Sequence, residues 1–413
     1  MDNVQNFYHA WSLKGISYGG KSLEVCHEPY LIEEKDALSF KKDLEILHST
    51  VEKVTTLFIK GEFRELYSFD SRLMDLILAH PGYSVSCPLT RWDSFWDGEN
   101  LKLLELNTDG TSGMAYVEAL NRIYIESFPG EERVYSSLRK RVLDTLLDCY
   151  HEFSKRRVEV PQIAIVDWKD VATRPEQIDL AHYFNQMGIS TVLADPRELR
   201  YDGTFLWKDD FRIDLIYRRV VTREYLEAWD KVKPMTKAYF DQNVCVVGSF
   251  RSQIGFDKRT FTILSSPEFE IFFTPQENQL KSFLIPWTRS LQRTKTEFHR
   301  ALIEIPQYVI DNPSLFVLKP PSLNRGRGVL MGSDIDHDQW KEEVIRRLNG
   351  GDIVQEKLQV PLRKGVGIHL GHFVFGGKLA GWMCRMGRDA VLGDFSDDYL
   401  VPCLIHQVLD PVL

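Results

Sequence analysis

FVLKPPSLNRGRGVLMG, residues 316–332, joins an apolar run ending in Lys319 to a loop that carries Gly326 and Gly328 beside Arg325 and Arg327. The two glycines permit a tight turn between strands and let backbone N–H groups approach a polyphosphate closely, and Lys319 adds a point charge. The lysine precedes the glycines, and the apolar Val329, Leu330 and Met331 follow them. The pattern is therefore neither GxxxxGK[ST] nor GxGxxG, which disfavours a Walker loop and a Rossmann turn. Taken alone, the segment reads either as a phosphate-binding hairpin or as a surface β-hairpin with a solvated basic tip.

The rest of the chain frames that choice. Its 413 residues suit two to three domains of ordinary size. With 43% hydrophobic, 27% charged and 12% aromatic residues, the composition is that of a folded globular protein without long disordered tracts. A net charge of -8 opposes sequence-independent binding to nucleic acid. Cys26, Cys87, Cys149, Cys245, Cys384 and Cys403 show no CxxC or other paired short spacing, so a structural zinc site is not expected. The histidines form no HExxH-like set, and His369 and His372 read as ordinary strand or turn residues. No secretory signal and no apolar run of membrane-spanning length is visible, so the reading expects a cytoplasmic protein with reduced thiols and no membrane partner.

Between Ile32 and Leu78 apolar positions recur every three or four residues, which predicts amphipathic helices. The period then changes. Residues 89–110, LTRWDSFWDGENLKLLELNTDG, read as a strand, a turn at Asp97 and Gly98, and a second strand from Leu101 to Asn107. Helical spacing returns over 112–124 and 136–153. From Val160 onward strand, helix and strand alternate, with a strand expected over 212–221, as in an α/β unit whose strand-end residues Asp167, Asp195, Arg218 and Arg219 line a ligand crevice. Helices are expected over 268–303 and 338–348, a strand at DIVQEKL, and strands and hairpins over 366–385. These breaks suggest four regions: 1–155, 156–240, 241–350 and 351–413.

Chemistry concentrates where polar residues interrupt apolar strands. Side chains alternate along a strand, so Arg91 shares a face with Asp93, and Glu105 with Asn107. If the two strands pair, Asp93, Glu105 and Asn107 converge as three hard oxygen donors suited to Mg²⁺, with Arg91 as a counter-charge among phosphates. The alternative is a solvated hairpin face, although an unpaired carboxylate is costly to bury in so apolar a run.

Taken together, the Glu-x-Asn strand, the lysine with its Gly-rich hairpin, and the strand ending Gln-Glu-Lys-Leu resemble the ATP-grasp fold. Glu105 precedes Lys319 and Gln355, the reverse of the usual order. That order is similar to the circularly permuted ATP-grasp group, which includes the synthetase domain of glutathionylspermidine synthase. Residues 213–224, 248–264 and 375–387 support the resemblance, which spans roughly residues 85–400. It implies an α/β (α+β) chain with the ATP-grasp fold in permuted order and an α/β pre-ATP-grasp-like subdomain.

The resemblance further implies ATP and Mg²⁺ as cofactors. Lys258 and Lys319 would meet phosphates, with Asn324, Gly326 and Gly328 in the lid. Gln355, Glu356, Lys357 and Leu358 would form the adenine hinge. Asp93, Glu105 and Asn107 would hold the metal, while Arg91 and Arg385 would face the transferred phosphoryl group. Ser112, Arg218 and Arg219 stand as candidates for the substrate. The activity expected is an ATP- and Mg²⁺-dependent carboxylate-amine ligase acting on a small-molecule carboxylate and amine. Two rivals remain open, a non-catalytic ATP-binding module in a biosynthetic complex and an ATP-dependent small-molecule kinase.

Overall fold

A computed structural model describes residues 2–129, 133–153, 159–323, 326–387 and 398–406 of the chain. In chain order the principal elements begin with α1 (Glu34–Lys60), β1 (Leu89–Trp96), β2 (Leu101–Asn107), α2 (Met114–Ser127) and α3 (Leu138–Glu152). Next come β3 (Ile163–Val166), α4 (Arg174–Gln186), β4 (Thr191–Ala194), β5 (Leu215–Arg218) and β6 (Cys245–Val247). The chain continues through α5 (Pro275–Leu284), β7 (Thr288–Ser290), β8 (Phe316–Lys319), β9 (Leu330–Met331), α6 (His337–Arg347) and β10 (Ile353–Glu356). It closes with β11 (Val366–Phe375), β12 (Lys378–Gly387) and β13 (Tyr399–Val401). The class is mixed α/β with several separate sheets.

The central sheet runs β13-β12-β11-β1-β2 with every neighbour antiparallel. Strands from the first quarter of the chain thus lie beside strands from its last eighth. Long α1 covers this sheet because Phe40, Leu44, Leu47, Val51, Val54 and Phe58 recur at helical spacing and are all buried. The helix stops at Gly61, whose φ of 113° is open to glycine and strained for other residues. Glu52, on the same helix, accepts backbone hydrogen bonds from Ser86 and Cys87 (both 2.7 Å) and so fixes the entry into β1.

A second sheet, ordered β6-β5-β3-β4, is parallel throughout. Its strands are apolar runs such as Ile163–Val166, buried on both sides as parallel strands must be. Successive strands are added on one side of β3 and then, from β5, on the other, so the crevice beyond the C-terminal ends of β3 and β5 is the switch point, bordered by Asp167 and Arg219. The expected single strand over 212–221 is two short strands, because Asp214 leaves the ladder and Phe211–Ile213 joins a separate three-stranded sheet.

The third sheet, β7-β10-β8-β9, is antiparallel and carries the loop of residues 320–329 between β8 and β9. The helical expectation over 268–303 holds only through α5. Beyond it, Thr294–Phe298 and Ala301–Ile305 form a β-hairpin. The physical reason is period: Phe298, Ile303 and Ile305 are buried while Glu297, Leu302 and Glu304 beside them face outward, an alternation of two that a helix cannot use. Among the described residues no helix is long and apolar enough to cross a membrane.

Candidate functional site

A β-bulge between Asp93 and Ser94 sets the register at the heart of the site. It brings Asp93 opposite Glu105 and Arg91 opposite Asn107. Asn107 Nδ2 then donates to Asp93 Oδ2 (3.0 Å) and to Glu105 Oε1 (3.4 Å). Arg91 grips Asp93 with two parallel bonds, Nε to Oδ1 (2.5 Å) and Nη2 to Oδ2 (2.8 Å), and its Nη1 donates to the carbonyl of Ser112 (3.0 Å). Burial alone would push the Asp93 carboxyl up, but the Arg91 guanidinium holds it below the usual range.

Both lysines come to the same place. Lys319 lies at the end of β8, and its Nζ donates to the carbonyl of Leu104 (3.2 Å), next to Glu105, and to Gln355 Oε1 (2.6 Å). Burial draws its pKa down to about 8, with Glu105 opposing and Lys258 adding to the fall. Lys258 Nζ stands 3.3 Å from Glu105 Oε2 and donates to the carbonyl of Leu323 (2.7 Å). The loop base is tied down further: Lys258 N donates to Pro321 O (2.9 Å) and Ser322 Oγ to Asp257 Oδ2 (3.0 Å).

One cavity joins these groups. It is lined by Asp93, Glu105, Lys319, Gly326, the 355–358 segment and Arg385, among others. Its volume of about 90 Å³ is below the ~300 Å³ at which small-molecule pockets ordinarily begin. Gly326 and Gly328 beside it have φ of 66° and 72°, left-handed values that glycine adopts freely, and a Cβ on Gly328 would meet Pro320 Cγ at 2.7 Å.

The remaining expected residues take the following places. Gln355, expected at adenine, is buried and uses its side chain to hold Lys319 and to donate to Thr288 Oγ1 (2.9 Å). Glu356 lines the cavity and pairs with His299 Nε2 (2.8 Å). Lys357 reaches Ser333 Oγ (2.5 Å), and Leu358 lines the cavity wall. Arg385 is buried in β12, where burial lowers its pKa, and its Nη1 lies 3.6 Å from Asp398 Oδ2. Ser112 contributes its carbonyl to Arg91. Asn324 lies outside the described residues.

The paired arginines separate cleanly. Arg218, expected at the substrate, is instead held within the protein: its guanidinium donates to Asp109 (2.7 Å), Thr222 Oγ1 (2.9 Å) and two backbone carbonyls. Arg219 lies at the switch point with Nη2 on Glu176 (2.9 Å), while its buried Nε and Nη1 find no hydrogen-bond partner. Glu176 also accepts from the backbone of Gly113 and Ala115 at the start of α2.

Sequence reasoning missed His299 and the part played by His369. His369 stands directly across from Arg385 in the β11–β12 pair and lines the cavity. Counting back along both strands from the Gly376-Gly377 turn would put Cys384 there instead, because a bulge at Phe373–Val374 shifts the register by one residue. His299 sits at a hairpin turn with φ of 46°, and nothing in its sequence neighbourhood announces Glu356 as its partner.

Among the described residues no group of three or more His, Cys, Asp and Glu gathers as a metal cage. The amide nitrogen of Asn107 nonetheless bridges the carboxylates of Asp93 and Glu105, oxygen-bearing groups of the kind that hold a hard cation.

The fold has a counterpart among solved structures. A glutathione synthetase-like effector from Globodera pallida, solved in its apo form, superposes with a TM-score of 0.61 at 14% identity, over 98% of this chain and 96% of that one. At that identity the likeness establishes a shared fold. A candidate gamma-glutamylcysteine synthetase from Methylobacillus flagellatus aligns over 84% of both chains with a TM-score of 0.40 and 12% identity. No family model and no curated protein sequence matches the chain.

Proposed function

We propose that this chain is an ATP- and Mg²⁺-dependent carboxylate-amine ligase built on a circularly permuted ATP-grasp fold. The observation that carries the reading is the single cavity in which Asp93 and Glu105, from the front of the chain, face Lys319, Gly326 and the 355–358 segment from its rear. In the permuted arrangement, residues 1–155 and 351–413 supply the metal-binding and return strands, 241–350 the nucleotide lobe, and 156–240 the substrate side.

Lys319 and Lys258 would meet the nucleotide phosphates, with Gly326 and Gly328 allowing the lid to close. Glu356 and the backbone of Lys357 and Leu358 would border adenine. Asp93, Glu105 and Asn107 would hold Mg²⁺, which supplies charge neutralisation at the phosphates. A substrate carboxylate oxygen attacks the γ-phosphorus and ADP leaves. An amine nitrogen then attacks the acyl carbon, phosphate departs, and the nitrogen gives up a proton. Arg91 and Arg385 would steady the negative charge in transit, since such transfers depend on positioning and electrostatics. On the substrate side, Arg219 is the better anchor for a carboxylate, because two of its buried donors lack a partner whereas those of Arg218 are taken.

The test incubates purified protein with ATP, Mg²⁺ and pooled amino acids, peptides and polyamines. ADP and phosphate should appear together with a new amide by mass spectrometry, and Glu105→Gln should abolish turnover. A phosphorylated product would mark a kinase instead. Turnover untouched by Glu105→Gln would remove the mechanism.

A further inference from the structure

Lys319 reaches the nucleotide cleft from one face of the third sheet, and two residues of the neighbouring strands share that face. Thr288 on β7 lies directly opposite Gln355 on β10, and Val317 on β8 lies opposite Gln355 from the other side. Lys319 stands two residues beyond Val317, so it points the same way as Gln355 and sits diagonally from it. Gln355 is 2% exposed, and Thr288 is fully buried.

Each end of the Gln355 amide has its own partner. Its Oε1 accepts from Lys319 Nζ (2.6 Å), and its Nε2 donates to Thr288 Oγ1 (2.9 Å). The Thr288 hydroxyl has one proton and gives it to the carbonyl of Pro286 (2.9 Å), so its oxygen can only accept and must meet the NH₂ end. An ammonium can only donate, so Lys319 must meet the oxygen end. Both neighbours demand the same orientation, and the amide cannot turn over without losing both hydrogen bonds.

The charge of the partner matters as much as its place. Elsewhere in the cleft cations meet carboxylates: Arg91 grips Asp93, and Lys258 Nζ lies 3.3 Å from Glu105. The hydrogen bonds of Lys319, to Gln355 Oε1 and to the carbonyl of Leu104, both end on neutral oxygens. They aim two of the three N–H donors of the ammonium without setting a carboxylate against it, and the third donor is left for the cavity that Lys319 lines. A carboxylate in place of the amide would keep the hydrogen bond and neutralise the charge.

We propose that Gln355 is a positioning residue for nucleotide binding, a neutral acceptor locked by Thr288 that aims the Lys319 ammonium at the phosphates and leaves its charge free for them. The inference rests on the ATP reading above, and it moves Gln355 from adenine, where the sequence expectation put it, to the phosphate end of the cleft.

The test is calorimetric titration of the full chain with ATP in the presence of Mg²⁺, arranged as a double-mutant cycle. Gln355→Met should weaken ATP binding about tenfold in the wild-type background and less than about twofold in the Lys319→Met background, because its effect passes through that lysine. A residue that touches adenine, or one whose loss merely loosens the fold, would cost the same factor in both backgrounds. Gln355→Glu keeps the size and the hydrogen bond but adds a negative charge; it should weaken ATP at least about tenfold, and it serves as the measure if Gln355→Met does not fold. Thr288→Val removes the lock and should weaken ATP about threefold, with Thr288→Ser close to wild type. Equal losses in the two backgrounds, or unaltered affinity in folded Gln355→Glu or Thr288→Val, overturn this inference and leave the nucleotide reading standing. Absence of ATP binding by the wild type removes both.

Discussion

If Lys319 meets phosphate as proposed, its titration ties nucleotide binding to pH. A free lysine titrates near 10.5, but burial between β8 and β2 brings this one to about 8. Below that value it carries the charge a phosphate needs; as pH rises through it, the charge is lost. ATP affinity should therefore fall between pH 7 and 9, a trend measurable by calorimetry, and Lys319→Met should weaken binding about 10- to 100-fold and flatten the profile. Stability of the ligand-free protein moves oppositely. Between about pH 8 and 10.5 the unfolded chain keeps a proton that the folded chain has released, so unfolding free energy rises across that window. Asp167 behaves in the reverse sense. Burial raises it to about 6, with Arg219 and hydrogen bonds from Trp168 and Gln177 opposing, so the folded chain holds the extra proton between about pH 4 and 6 and loses stability as pH climbs through that range. Asp167→Asn should remove that loss, up to about 3 kcal/mol at pH 7, as read by urea denaturation at pH 4 and pH 7.

At the scale of elements, the β8–β9 hairpin and the β1–β2 hairpin were both readable from the chain, because turn residues and a period of two mark them plainly. What the period could not supply was the bulge at Asp93, which decides that Asp93 rather than a neighbour faces Glu105. The hairpin at 294–305 was missed for a related reason: its alternation is blurred by the polar Thr294 and Thr296 on the inner face and the apolar Leu302 on the outer one. The lid carries its own expectation. Gly328→Ala forces a side chain into a left-handed backbone and against Pro320, so it should cost about 1 kcal/mol of stability and slow or weaken nucleotide uptake. A loss of ATP-induced thermal shift with little change in the unliganded melting temperature would bear this out; an unchanged nucleotide affinity would count against the lid.

For the whole molecule, β11 from the rear of the chain lies between β1 and β12, so the front of the chain has no complete sheet of its own. Truncation after Gly351 should accordingly leave an unfolded or aggregated product, visible in circular dichroism, despite keeping most of the residues. The thiols report the same integrity. Cys87, Cys149, Cys245, Cys384 and Cys403 are buried, and burial pushes each thiol up, while Cys26 is half-buried. A thiol reagent should label Cys26 first in the native protein and all six after denaturation, with no effect of reductant on melting.

The amino-acid order by itself determined the mixed α/β class, the two hairpins and the residue types able to handle phosphate and a hard cation, because these depend on local period, turn chemistry and side-chain charge. Only the tertiary structure decided that Glu105 and Lys319 share one cleft, that Arg218 is held by Asp109 while Arg219 keeps unpartnered donors, and that Gln355 serves Lys319. Those outcomes rest on pairings across many tens to hundreds of residues, where burial and register, invisible along the chain, choose which of several equally plausible polar groups finds a partner.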